Sequence, residues 1–430
     1  MIGLDSLPLT LIDEMGSKLP FLSGLRKGGK LQAWRSCDPP ITIPAWTVMT
    51  TGCDPGELGV YGFQRRLSRR DYKMGFNTSE SVLKERMWDK FPQGAKSFVW
   101  GVPQTAPHSA REGHLEGGCI LNSATGANFV VPHQYVSEIS SLLGEPRLFD
   151  ISGYRGSDLM GMVKHLHQML EAKDRLLRWA IPRGFDFVMM VLIETDRLHH
   201  AFWHHTFKSH PRFVMDSEFS SVLPDFYQKL DTMLRHWFCL AKDYNYAPIL
   251  MSDHGVRPLQ GIFCLNEWLI MRGYLALKDP GYRGLVEAEH IDFQRTLVYA
   301  QGGYCGRLWL NLVGRDPDGI LQEPSLFLNQ LRTELTEQLQ TMNIKLDWLE
   351  PEKIYRRVSG IAPDVIVYFG DLDYRASSGV YSHELVYAQN DTGPDGVNHD
   401  LFGVIGSEDF EDLPENILSF SSWHRGISCV

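Results

Sequence analysis

The chain has 430 residues, 43% hydrophobic and 22% charged, a composition that supports a large core and excludes disorder, collagen-like repeats and a coiled coil. Its 42 Lys and Arg against 52 Asp and Glu give a net charge of −10, a poor balance for wrapping a nucleic acid polymer or resting on an anionic membrane. No run approaches the roughly 18 apolar residues of a membrane span.

In chain order, the opening MIGLDS reads as a strand ending at Asp5. It is short for a central strand, where about 5–6 residues are usual, so the natural start is expected a few residues upstream. It lacks the basic and apolar stretches of a leader. ITIPAWTVMTTG follows, a helix with Pro44 in its first turn, Gly52 just past its end and Thr42 at its N-terminus. Apolar or β-branched runs at 97–102, 186–193, 246–251, 364–369 and 401–405 suit buried, mostly parallel strands. Between them, 157–181, 225–243 and 325–341 carry apolar residues at three- and four-residue spacings, as amphipathic helices do. The stretch 296–313 interrupts the alternation with a hairpin pattern around Gly-Gly-Tyr-Cys-Gly. The class implied is α/β: a doubly wound, mostly parallel central sheet flanked by helices.

Cys37, Cys53, Cys119, Cys239, Cys264, Cys305 and Cys429 are scattered, odd in number and form no CxxC pair. That pattern suits reduced thiols in a cytoplasmic protein and speaks against a thiolate metal site.

Ligands collect at the carboxyl ends of strands in such folds, and candidate residues stand there. Asp5 ends the first strand, Asp196 and His200 follow 186–193, Asp253 and His254 follow 246–251, and His399 precedes 401–405. Singly, each could be a helix cap or a packed histidine. Asp196 and His200, four apart, would share a helix face and could grip one metal. Adjacent Asp253 and His254 can face one site only if the chain turns, which Gly255 would permit. Carboxylates and imidazoles without thiolate suit zinc, with manganese or iron also accommodated. The free N–H groups at Thr42 would favour an anion.

Together these blocks resemble the alkaline phosphatase superfamily, in its type I phosphodiesterase/nucleotide pyrophosphatase branch. The resemblance runs through the opening GLD, TIPAW…TG with the following DPG, D…HAFW, SDHG and the terminal H…G, in order over nearly the whole chain. It implies an alkaline-phosphatase-like fold: one domain over 1–430, with inserted lid segments for substrate recognition within 64–150 and 257–360. It implies two divalent metals, one held by Asp196, His200 and His399, the other by Asp5, Asp253, His254 and the hydroxyl of Thr42. Thr42 would be the nucleophile, passing through a phosphothreonine intermediate, and the substrate a small phosphate ester with a phosphodiester or pyrophosphate bond.

Two positions depart from the branch. Leu58 stands where its PxxHG block has His, and Phe63 where it has a phosphate-binding Asn. Arg65 and Arg66 follow directly and could meet a substrate phosphate, or form a solvated basic loop with Arg69, Arg70 and Lys73. A phosphomonoesterase or phosphonate hydrolase on the same site is the alternative, and a catalytically inactive, metal-stabilised binding protein the alternative of another class. A sulfatase is excluded because Cys37-Asp38-Pro39-Pro40-Ile41 lacks the required Arg. His199, His204 and His205 read as surface or supporting residues, and Trp46, Phe202 and Trp203 as core packing.

Overall fold

Phe187–Leu192 is buried at every position, as a run apolar on both faces requires. It lies inside an eight-stranded sheet ordered Leu31–Arg35, Phe402–Gly406, Leu250–Met251, Ile2–Leu4, Phe187–Leu192, Ser97–Trp100, His114–Gly117, Val130–Val131. The five strands from Leu250–Met251 to His114–Gly117 are parallel to their neighbours within that set. The other three pair antiparallel. This is the α/β architecture expected, a large, mostly parallel sheet flanked by helices.

The computed structural model describes residues 1–109, 111–120, 128–151, 153–393 and 395–427; Cys429 lies outside them. Contacts divide the chain into two compact units, one of Met1–Asp54, Asn77–Val256 and His399–Val430, the other of Pro55–Phe76 and Arg257–Asn398. Much of the second unit falls within the 257–360 window in which inserted segments are expected.

Helices of the first unit follow their apolar spacing. Leu159–Ala180 starts at Asp158, whose side chain accepts from the Gly161 N–H at 2.8 Å, and buries Met162, Leu166, Met169, Leu170, Leu176 and Leu177. Val222–Asp243 buries Leu223, Phe226, Tyr227, Leu230, Leu234, Trp237 and Phe238. Its Asp231 accepts from the N–H groups of Phe21 and Leu22 at 3.0 and 2.8 Å, satisfying orphan donors at the start of the helix Pro20–Lys27. Burying each leucine on such a face is worth about 1.5–3 kcal/mol.

The second unit has a seven-stranded sheet of its own. It includes the expected hairpin, Val298–Gln301 against Gly306–Leu310, and the helix Pro324–Gln340. Strand direction is corrected in two places. Val365–Phe369 is buried as expected, yet pairs antiparallel with Gly306–Leu310, with Leu346–Leu349 and with the strand starting at Tyr374. Phe402–Gly406 is antiparallel to both its neighbours. An apolar run reports burial on two faces, which parallel strands usually have and an antiparallel strand covered on both faces has as well. Among the described residues no helix is long and apolar enough to cross a membrane.

Candidate metal centre

The buried side chains of Asp5, Thr42, Asp196, His200, Asp253, His254 and His399 all belong to the first unit. Three come directly off adjacent parallel strands: Asp5 after Ile2–Leu4, and Asp253 and His254 after Leu250–Met251. Asp196 and His200 lie in the first two turns of Glu194–Thr206, the helix that follows Phe187–Leu192. Thr42 opens the helix Thr42–Thr51, which ends with Gly52 in the left-handed region at φ 73°.

His254 is the hub. Its Nε2 lies 3.3 Å from Asp253 Oδ2, 3.5 Å from Asp5 Oδ1 and 3.3 Å from Thr42 Oγ1. Asp196 Oδ1 lies 3.3 Å from His200 Nε2 and 3.6 Å from His399 Nε2. The rings of His254 and His399 stack with centroids 3.8 Å apart. Ligand atoms of Asp5, Asp253 and His254 fall within 4.8 Å of one another, and so do those of Asp196, His254 and His399. His254 thus belongs to both clusters, and His200 approaches through Asp196.

Each aspartate has one oxygen held and one left over. Asp5 Oδ2 accepts from Trp46 Nε1 at 2.7 Å, Asp196 Oδ2 from Arg197 Nη1 at 2.6 Å, and Asp253 Oδ1 from the Ser6 N–H at 3.3 Å. Asp5 Oδ1, Asp196 Oδ1 and Asp253 Oδ2 are buried and accept no hydrogen bond among the described residues. A buried carboxylate oxygen without a donor is costly, and three aimed at one cluster of imidazoles are the mark of an ion site. The imidazoles are oriented too. His254 Nδ1 donates to Gly255 O at 2.9 Å and His399 Nδ1 to Pro40 O at 2.8 Å. A carbonyl can only accept, so each ring keeps its Nε2 lone pair for the centre.

The charges respond accordingly. Burial, then the neighbouring Asp196, pushes Asp5 well above the ordinary carboxylate range, and burial with Asp5 does the same to Asp253. Burial alone would raise Asp196, but His200, His399 and Arg197 hold it well below that range. Burial drives His254 down and His399 to about 4, so both imidazoles are neutral at pH 7.

The role of Gly255 differs from the expectation. It is not in the left-handed region; a Cβ there would sit 2.2 Å from the carbonyl oxygen of Phe402. Close backbone approach, not a special turn, requires the glycine. A second close approach places Trp46: a Cβ on Gly3 would lie 2.3 Å from its ring.

Support around the centre comes from Trp46, expected as core packing, and from His199, expected as a surface or supporting residue. Trp46 is buried, but its indole N–H is spent on Asp5. His199 is also fully buried. Its Nδ1 lies 2.8 Å from Ser6 Oγ and its Nε2 2.7 Å from the Tyr227 hydroxyl. Ser6 has φ 65°, a left-handed conformation that costs a serine about 1 kcal/mol or more. His204 and His205 are half-buried, and Phe202 and Trp203 are packed in the core. Phe63, Arg65 and Arg66 belong to the second unit. Phe63 is half-buried and Arg65 exposed. Arg66 is buried, paired with Asp316, and lies over the ring of Tyr72.

The profile of a family described as type I phosphodiesterase / nucleotide pyrophosphatase matches residues 1–395. No curated protein matches the chain. Among solved structures, phosphonoacetate hydrolase from Sinorhizobium meliloti, in complex with phosphonoacetate, superposes with a TM-score of 0.61 at 14% identity, covering 98% of this chain and 93% of that one. Human ectonucleotide pyrophosphatase/phosphodiesterase 5 superposes with a TM-score of 0.53 at 11% identity, covering 100% and 94%. An inactive variant of the murine protein, in complex with AMP, gives 0.52 at 11% identity with the same coverage. At these identities the structures share the fold.

Proposed function

The chain belongs to the type I phosphodiesterase/nucleotide pyrophosphatase family, a family of phosphoester hydrolases, and from that premise we propose that it cleaves a small phosphate ester at a phosphodiester or pyrophosphate bond, using Thr42 as nucleophile beside two divalent ions. One observation carries this reading: Asp5 Oδ1, Asp196 Oδ1 and Asp253 Oδ2, buried and without donors, surround His254 and His399 next to the Thr42 hydroxyl. Three carboxylates and three imidazoles, with no thiolate, form a donor set that fits zinc best and admits manganese or iron. Asp196, His200 and His399 would hold one ion, and Asp5, Asp253, His254 and the Thr42 hydroxyl the other. When bound, such ions lower the pKa of a coordinated hydroxyl and offset charge on the phosphoryl oxygens.

The chain's own groups supply the rest. Thr42 Oγ1 gives up its proton, attacks phosphorus and displaces the ester oxygen, which leaves with a proton. Water then hydrolyses the phosphothreonine and restores the hydroxyl. His254 and His399 orient their Nε2 atoms through Gly255 and Pro40, so neither is needed as a general base. The described cysteines are free thiols, which supports a cytoplasmic location.

A phosphonate hydrolase is the second reading. Phe63 and Leu58 stand where the branch has Asn and His, which favours a substrate other than a nucleotide diester. The test is metal-loaded protein, zinc or manganese, against a nitrophenyl diester, a monoester, a pyrophosphate and phosphonoacetate, with acid quenching to detect phosphothreonine by mass. Turnover of the diester with label on Thr42 supports the first reading, and turnover of phosphonoacetate alone the second. No turnover of any leaves a metal-stabilised binding protein.

A further inference from the structure

A cavity of about 200 Å³ lies in the second unit, and none of the metal-centre residues lines it. Met74, Val286 and Ile291 give it an apolar wall; Arg307 and Tyr299 give it a polar one. Arg307 is only 8% exposed. Among the described residues its guanidinium makes one hydrogen bond, from Nη1 to Gln64 O at 3.1 Å, and no ion pair. The other buried arginines of this unit each meet a carboxylate, Arg66 with Asp316 and Arg375 with Asp395. Burial accordingly lowers the pKa of Arg307, offset only in part by the neighbouring Cys305 and by no carboxylate. The Tyr299 hydroxyl is buried and has no hydrogen-bond partner among the described residues. Glycine at position 62 keeps space for the guanidinium, since a Cβ there would lie 2.8 Å from Nη1.

A buried charge without a counter-charge costs several kcal/mol. Chains keep such groups where a ligand completes them, at the expense of stability when the ligand is gone. We propose that this cavity binds a small organic carboxylate, its head on the Arg307 guanidinium and the Tyr299 hydroxyl and its apolar body against Met74, Val286 and Ile291. A planar carboxylate matches the fork of one guanidinium. A phosphate dianion would call for a second cation, and Arg375, the other arginine in the wall, is already taken by Asp395, while Glu287 and Asp391 both add carboxylates to the lining. It shares no lining residue with the metal centre, so the proposal does not depend on how that centre is read.

The probes are benzoate and hexanoate, with benzamide as the uncharged match of benzoate, followed by thermal shift and calorimetry on metal-loaded protein. Either carboxylate should raise the melting temperature and benzamide should not. R307M without ligand should melt no lower than the parent protein and should bind the carboxylate at least about tenfold more weakly. Y299F, which deletes an unpartnered hydroxyl, should keep its stability and bind several-fold more weakly. Failure of both carboxylates to bind the parent protein overturns the proposal. So does equal binding by R307M, which would place the probe at the metal centre. A large loss of stability in both variants would make Arg307 and Tyr299 structural and overturn it as well.

Discussion

Among the described residues, Asp5, Asp196 and Asp253 of the first unit each keep one buried oxygen without a donor, whereas in the second unit buried Asp316 and half-buried Asp364 have donors on both oxygens. Asp316 meets Arg66, Arg315 and the Leu312 N–H, and Asp364 meets both Nη atoms of Arg315 and the Leu310 N–H. Both arrangements bury acid, and only the closed one repays burial from within the chain. An open network is a place prepared for something the chain does not supply. Arg307 is an exception in the second unit, and it lines a cavity.

The largest effect expected from this difference is on turnover. Thr42→Ala should lower kcat by about 10⁶-fold or to the background rate while leaving the fold and most metal binding intact, because the variant removes none of the three open carboxylate oxygens. Retained activity, measured on the diester that the parent protein hydrolyses, would remove Thr42 as nucleophile.

The next prediction turns the comparison into a pair of variants. Asp253→Asn relieves repulsion with Asp5, so chelator-treated protein should be as stable as the parent or more so, while tight metal binding drops from two ions to one or none. Asp316→Asn should do the reverse, keeping the metals and losing about 3–5 kcal/mol, the cost of breaking a buried pair. The pH dependence sharpens it. Burial would raise the Asp316 pKa, but Arg315 and Arg66 hold it below the ordinary 3.8. Its contribution is therefore present above pH 3.8 and is lost as pH falls through the lower folded value. The stability gap between parent and Asp316→Asn should be full at pH 7 and shrink in acid. Denaturant titrations at two pH values, with metal analysis, decide it. If Asp253→Asn unfolds the protein while Asp316→Asn is silent, the comparison is wrong.

Much of this was legible because each open acid follows an apolar strand and strand ends face one edge of a parallel sheet. Asp196 and His200 were legible from their spacing alone, and the Pro44 to Gly52 frame located the helix that presents Thr42. The roles of Trp46 and Ser6 were not, and for His199 the sequence left surface and support both open. The indole of Trp46 reaches Asp5 across 41 residues, Ser6 meets His199 across 193, and the φ of Ser6 is positive. Hydrogen bonds between distant side chains leave no period in a sequence, and a left-handed serine looks like any other. Strand direction at Val365–Phe369 was hidden for a similar reason, since pairing is a property of two segments.

His399→Ala should produce a smaller and more selective loss. It removes one imidazole from the Asp196 side while His254 and Asp253 remain, so one ion should weaken and the other persist. Elemental analysis at limiting chelator reads the stoichiometry, and two ions still tightly bound would dismiss His399 as a ligand.

The smallest effects should come from the brace behind the open acids. The Tyr227 hydroxyl holds His199, His199 holds Ser6 Oγ, and the Ser6 N–H holds Asp253 Oδ1. The chain of contacts fixes a left-handed turn directly after Asp5, so it sets the direction of two proposed ligands without touching a substrate. Partners of this kind typically change metal affinity by about 10–100-fold when lost. Tyr227→Phe and Ser6→Ala should each weaken the ion at Asp5 and Asp253 by about tenfold and spare the one at Asp196. Ser6→Gly separates two causes: it keeps the backbone conformation at no steric cost and removes only the tie to His199. If Ser6→Gly binds metal like the parent while Ser6→Ala does not, the turn itself aims Asp253 and the histidine merely enforces it. If all three variants bind both ions unchanged, the brace is packing, and the closed side of the first unit contributes nothing to its open one.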